Sequence, residues 1–201
     1  MKTIIMKYIR PAIVLTLLLT ILTGLIYPGV VTALAQLIFP NQANGSLVHA
    51  SNGQVIGSEL IGQYWTSPQY FHGRPSATSN LNGTPSPYEA DNSSASNLGP
   101  TNATLVKTVQ QRVAEVKKEN PNAPSGPVPV DLVTASGSGL DPDISVAAAL
   151  YQVPRIAQMR GLSQSTVTQL VMNHVTGQFL GIFGEQYVNV LDLNLALDAL
   201  K

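Results

Sequence analysis

Between Arg10 and Glu59 the chain carries no Asp, Glu, Lys or Arg. Within that gap, Ala12 to Leu34 is apolar apart from Thr and Gly. A helix rises ~1.5 Å per residue, so this stretch spans about 34 Å, enough for a bilayer core of about 30 Å. In lipid the backbone must bond to itself, which makes a helix the expected form. Pro11 suits the first helical turn, where its missing N–H is no loss. Pro28 and Gly29 predict a kink or an early end to the regular helix.

Charge sets the orientation. Lys2, Lys7 and Arg10 precede the span, and no Lys or Arg follows until Arg74. The positive-inside rule then keeps residues 1–10 cytoplasmic, makes 11–39 the transmembrane helix with its outer extension, and exports residues 40–201 as an extracytoplasmic domain. The competing reading is a cleaved signal peptide, for which Ala33-Leu34-Ala35 resembles a cleavage site. The apolar run exceeds the roughly 7–15 residues of a signal core, so an uncleaved, single-pass anchor in the cell membrane is expected.

The exported part suits one α+β domain. Setting aside Lys2, Lys7 and Arg10 leaves eight of the 11 Lys and Arg against 11 Asp and Glu. A mildly acidic domain with no basic stripe argues against nucleic-acid binding. With no cysteine in the chain, disulfides and thiolate metal sites are excluded. Sequons begin at Asn44, Asn82, Asn92 and Asn102, a number that chance supplies in so Asn-rich a chain.

Pro40 to Ser46 reads as a polar linker. Leu47–His49 and Gln54–Leu60 are strand-like, and Asn52-Gly53 signals a hairpin turn. Residues 62–102, rich in Ser, Asn, Gly and Pro, have the composition of a disordered segment. Yet Tyr64, Trp65, Tyr70, Phe71 and Tyr88 predict a loop packed onto the domain. Leu105–Lys118 is a helix with Leu105, Val109, Val113 and Val116 on one face. Val130–Val133 reads as a short strand or extended turn, and Ser136-Gly-Ser-Gly139 as a tight turn. Ser145 is expected to cap a helix through Val153, with Pro154 breaking it and starting a second helix that ends at Gly161. Ser163 caps another helix, closed by Gly177. Tyr187–Leu191 reads as a strand, and Asp192 as the cap of a final helix.

Candidate chemistry is sparse. His49, His72 and His174 lack metal-pair spacing. Asp141 and Asp143 could serve acid–base work or calcium, but a helix follows directly, so capping is the better account. No G-x-S-x-G or Walker loop occurs, and an anchored hydrolase would need a nucleophile and base that the motifs do not supply. Thr16, Thr20 and Gly24 recur every four residues, a small-residue face suited to close helix packing as well as to plain lipid contact.

Several longer strings carry a resemblance. They are Thr23–Gly29, Gly57–Gln63, Tyr70–Ser76, Ser96–Pro100, Pro129–Pro142, Ala147–Arg155 and Val188–Asn194. In that order they resemble the KdpC family, the C subunit of Kdp potassium-transporting ATPases, over nearly the whole length. Val146 departs from the pattern, standing where relatives often carry Pro. The resemblance implies a non-catalytic accessory subunit working with a channel-like A subunit (KdpA), an ATP-hydrolysing B subunit (KdpB) and a small F subunit (KdpF). It implies potassium as the ion the complex transports, ATP as a ligand, and a catalytic-chaperone role that raises the ATP affinity of the B subunit. Gln152, polar within Tyr-Gln-Val-Pro, is the candidate nucleotide contact; a helix-end hydrogen bond is its competing role. ATP is cytoplasmic and the domain reads as exported, so an effect on ATP affinity is simplest at a distance. The alternative is a structural or gating domain over the external potassium entrance, with Asp141 and Asp143 concentrating cations.

Overall fold

A computed structural model describes residues 2–50 and 52–200. Met1, Ser51 and Lys201, which the sequence reading includes in the cytoplasmic terminus and the exported domain, lie outside the described residues. The chain divides into two compact units between Leu47 and Val48.

The first unit is a helical run. Helix α1 (Lys2–Ile21) passes through a π-helical turn, Leu22–Ile26, into α2 (Tyr27–Ile38). Met6–Ile38 is long and apolar enough to cross a membrane, the one such helix among the described residues. Its described side chains are exposed on nearly every side. Pro11 lies inside α1 rather than in its first turn. The helix does not end early at Pro28. Instead the π turn precedes it, the Tyr27 N–H reaching back to the Leu22 carbonyl. That wider turn makes room for the proline ring and for a carbonyl it cannot bond. Residues 40–46, expected as a plain linker, form helix α3 (Pro40–Ala43). The Asn44 amide donates back to the Pro40 carbonyl at 2.6 Å.

The second unit is α+β. The hairpin of β1 (Leu47–His49) and β2 (Val55–Ser58) forms as expected. Helix α4 (Ala103–Glu119) is capped by the Asn102 side chain. Its face of Leu105, Val109, Val113 and Val116 is half-buried, the last three packed against the core. Val130–Leu132 is a 3-10 turn rather than a strand, because Asp131 turns inward to brace the next helix: its carboxylate accepts from the Ser145 N–H and hydroxyl at 2.6 and 3.1 Å. A three-stranded antiparallel sheet follows, in the order β3 (Asp143–Ser145), β5 (Tyr187–Asn189), β4 (Val175–Thr176). Ile144 pairs with Val188, and Val188 with Val175.

Helix α5 (Val146–Arg160) is continuous through Pro154, where the sequence predicts a break. The proline forfeits one backbone bond, and the burial of Val153, Ile156 and Ala157 offsets it. Ser145 caps α5 and Ser163 caps α6 (Gln164–Asn173). α6 ends at His174, and β4 begins before Gly177 is reached. Asn189, not Asp192, caps α7 (Val190–Ala199), its side chain accepting from the Asp192 N–H at 3.2 Å. The core lies where α5, α6 and α7 meet the sheet, around Ile144, Ile156, Val167, Val171, Val188, Leu193 and Leu197.

Candidate functional site

The long loop is ordered by its polar residues as much as by its aromatics. Phe71 is fully buried in the core. Two buried amides hold the backbone on either side of the Phe71–His72 bond. Asn194 of α7 accepts from the Phe71 N–H at 2.8 Å and donates to its carbonyl at 3.0 Å. Gln152 of α5 accepts from the His72 N–H at 2.8 Å and donates to its carbonyl at 3.1 Å. Each side chain thus offers one donor and one acceptor, as a neighbouring β-strand would. Arg155 donates to the carbonyls of Pro68 and Tyr70, and to Asn120 Oδ1 and Gln152 Oε1 at 2.9 and 2.7 Å. Arg160 donates to the Gln69 carbonyl and lies 4.8 Å over the Tyr70 ring.

Beyond the clamp the loop folds on itself. Ser76, Thr78 and Ser94 hydroxyls donate to the carbonyls of Gly139, Ser86 and Ala77. The composition that resembles disorder therefore serves as turn chemistry. Tyr88 donates to the Arg74 carbonyl at 2.7 Å. Burial, with help from Asp141, pushes its phenol up to about 12. Its ring fills the space that a Cβ would need at Gly62, 2.4 Å from Cε1, and its hydroxyl oxygen the space at Gly73, 2.6 Å away. Those two glycines are thus fixed by close approach rather than by a turn.

This docking leaves a cleft of about 390 Å³ between the loop and α4, lined by Tyr64, Trp65, His72, Arg74, Arg112 and Glu119 among others. His72 Nδ1 stands 3.5 Å from Glu119, and that hydrogen bond holds the Glu119 carboxyl below its usual range. Burial lowers Arg112, and it also lowers Arg155. Two buried N–H groups of cleft-lining residues, Trp65 Nε1 and Arg74 Nε, have no hydrogen-bond partner. Chemically the cleft offers donors and cations to an oxygen acceptor, with Glu115 and Glu119 along one wall.

Gln152 is 1 % exposed and lies at the floor of the cleft. Its amide oxygen accepts from His72 and Arg155, and its nitrogen donates to the carbonyls of His72 and Ala148. Thr16, Thr20 and Gly24 are exposed on the first unit's helix, Gly24 inside the π turn. Asp141 and Asp143 do not cap α5; Ser145 does. Asp141 pairs with Arg74 at 3.0 Å, which leaves it little unbalanced charge for attracting cations. Asp143 lies in β3 and accepts from the Asn189 amide at 3.2 Å. Sequence reasoning gave no role in the site to Asn194, Arg155, Arg74 or Trp65. A usable signal for Asn194 is its position as an amide among Leu191, Leu193 and Leu197.

Asp143 gives a pH prediction. Burial, and then repulsion from Asp141, raises its carboxyl from an ordinary 3.8 to about 6. A raised folded-state pKa favours folding below the unfolded value, and that benefit is lost as pH rises through the folded one. Asp143→Asn is therefore expected to stabilise the domain at pH 7.5 by about 1 kcal/mol, discounted for partial exposure, or about 2–4 °C. At pH 4 the gain should vanish. Thermal melts at both pH values check this; an equal gain at each would rule out the carboxylate's charge as the cause.

The chain matches the family model for the K+-transporting ATPase c chain, KdpC, over residues 9–199. It is 58% identical over 202 residues to the potassium-transporting ATPase KdpC subunit of Rhodopseudomonas palustris (strain BisB18), covering 98% of this chain and 100% of that protein. It is 54% identical to the KdpC subunit of Methylobacterium nodulans over 97% of this chain and 98% of the relative. The KdpC subunit of Gemmatimonas aurantiaca is also 54% identical, over 98% and 94%. Three of the strings noted in the sequence, Tyr70–Ser76, Ala147–Arg155 and Val188–Asn194, meet in the loop clamp, and with the match over almost the whole chain they make this a member of the KdpC family, the c chains of potassium-transporting ATPases.

Proposed function

We propose that this chain is a non-catalytic accessory subunit of a Kdp-type potassium pump, assembled with its A, B and F subunits in the cell membrane. Residues 1–10 lie in the cytoplasm, the helix through residues 11–39 crosses the bilayer, and residues 40–201 face outward. The Thr16, Thr20 and Gly24 face is the seam along which the anchor packs on another subunit. The observation that supports this arrangement is the 33-residue apolar helix, Met6–Ile38, with Lys2 before it, Lys7 and Arg10 in its first turns and no further Lys or Arg until Arg74, on a chain of this family.

Within the complex the chain acts as a catalytic chaperone that raises the ATP affinity of the B subunit without touching ATP. Potassium is carried by the complex, not by this domain. Coupling at a distance requires only that the chain contact two transport states differently. The Gln152 amide supports this form of the role, because its polar atoms are already engaged by His72, Ala148 and Arg155. The test is ATP binding to the purified complex with and without this chain. The expected result is a five- to 150-fold weaker affinity in its absence, the range of ordinary coupling energies of about 1–3 kcal/mol. Equal affinities would remove the chaperone role.

A further inference from the structure

Residues 178–184 form a tight hairpin whose tip is apolar. The Phe179 N–H donates to the Phe183 carbonyl at 2.9 Å and the Phe183 N–H returns the bond at 3.0 Å. The Gly181 N–H donates to the Gln178 carbonyl at 3.0 Å, and the Gln178 amide to the Gly184 carbonyl at 2.7 Å. On this closed frame Phe179, Leu180, Ile182 and Phe183 are 71, 74, 75 and 61 % exposed. Leu180 has φ +54°, a left-handed conformation that costs a residue with a Cβ. A soluble domain gains nothing from holding four large apolar side chains in water on a hydrogen-bonded turn. Together they offer roughly 500 Å² of apolar surface, as large as the biggest patch on a typical monomer, where such patches are often functional.

We infer that this hairpin is a docking wedge that inserts into an apolar groove on another subunit of the same ATPase. The inference rests on the assembly proposed above. Charge argues against a lipid surface as the occupant. Between Arg160 and Lys201 the chain has no Lys or Arg, and Glu185 adjoins the tip. Surface-binding elements instead pair an apolar face with basic residues that meet anionic headgroups. Area argues against a second copy. Stable pairs bury about 800 Å² per partner, more than this tip supplies. A chain already held in the complex by its anchor needs no such area, because tethering makes the second contact intramolecular.

The test uses the full chain in the purified ATPase complex. The photocrosslinker p-benzoylphenylalanine replaces Phe183 in one variant and Leu81, a still more exposed apolar loop position, in a control. The expected result is a covalent adduct between position 183 and another ATPase subunit, with none from position 81. The paired substitution Phe179→Ser with Phe183→Ser should lower retention of the chain through detergent washes at least fivefold, while the melting temperature of the chain is unchanged. An adduct at position 183 to lipid alone or to a second copy, or no adduct, overturns the wedge while the chain's co-purification leaves the assembly standing. A preparation lacking the other subunits overturns both.

Discussion

Gln152→Leu is expected to destabilise the domain by about 3 kcal/mol. The leucine keeps most of the volume but strands three groups that now share one buried amide: the His72 N–H, the His72 carbonyl and a guanidinium N–H of Arg155. A buried donor or acceptor left unpaired costs about 1–3 kcal/mol, more next to a charge. Gln152→Glu separates stability from function. It keeps the one oxygen that accepts from His72 and Arg155 but sets a second oxygen against the carbonyls of His72 and Ala148, a repulsion that the adjacent Arg155 charge offsets, so it should cost less than leucine. Chemical denaturation of the domain gives both values. The same variants bear on ATP. If Gln152 acts only as a clamp, the ATP affinity of the complex follows the folded fraction of the chain. A folded Gln152→Glu domain with severely weakened ATP binding would instead mark a direct nucleotide contact.

Several features were legible because a local rule decided them. The apolar span needed only composition and length, and the caps at Ser145 and Ser163 followed from hydroxyls before apolar periodic runs. The half-buried face of α4 followed from its spacing of apolar residues. Features that depend on partners far along the chain were not legible. Pro154 reads as a breaker until its neighbours are known to be buried in the core. Asp192 and Asn189 are both competent caps, and the pairing of β5 with β3, which places Asn189 opposite Asp143, selects between them. The two-residue strand β4 is too short to carry a period and exists only because Val175 meets Val188. In the candidate site, Gln152 stood out as a polar residue in an apolar motif, but its partners lie 80 residues away in the loop. Such an amide reads equally as a ligand contact or as a substitute for a missing strand, and only the position of His72 distinguishes the two.

Phe71→Ala is expected to cost about 3–5 kcal/mol, the range for removing a large aromatic from a core that cannot collapse onto the space. Phe71 is fully buried and is the loop's deepest apolar residue, with its backbone held from α7 and the next residue's from α5. Losing the ring weakens the reason for those amides to stay in register, so the damage should appear first in the loop. Hydrogen exchange should accelerate across residues 62–102 before the centre of α5, and limited proteolysis should cut in that interval. Phe179→Ala provides the contrast. Its ring is 71 % exposed in the isolated chain, and its removal should change stability by no more than about 0.5 kcal/mol. The sequence marks Phe71 as one of the aromatics of a packed loop and gives Phe179, between Gln178 and Leu180, no role. The structure separates them by burial, Phe71 lying in the core and Phe179 at the exposed hairpin tip proposed to dock elsewhere. If Phe71→Ala leaves exchange in the loop unchanged, the polar clamps alone hold the segment and the aromatic anchor is incidental. If Phe179→Ala destabilises the isolated domain as strongly as Phe71→Ala, the hairpin belongs to the core and cannot serve as a free wedge.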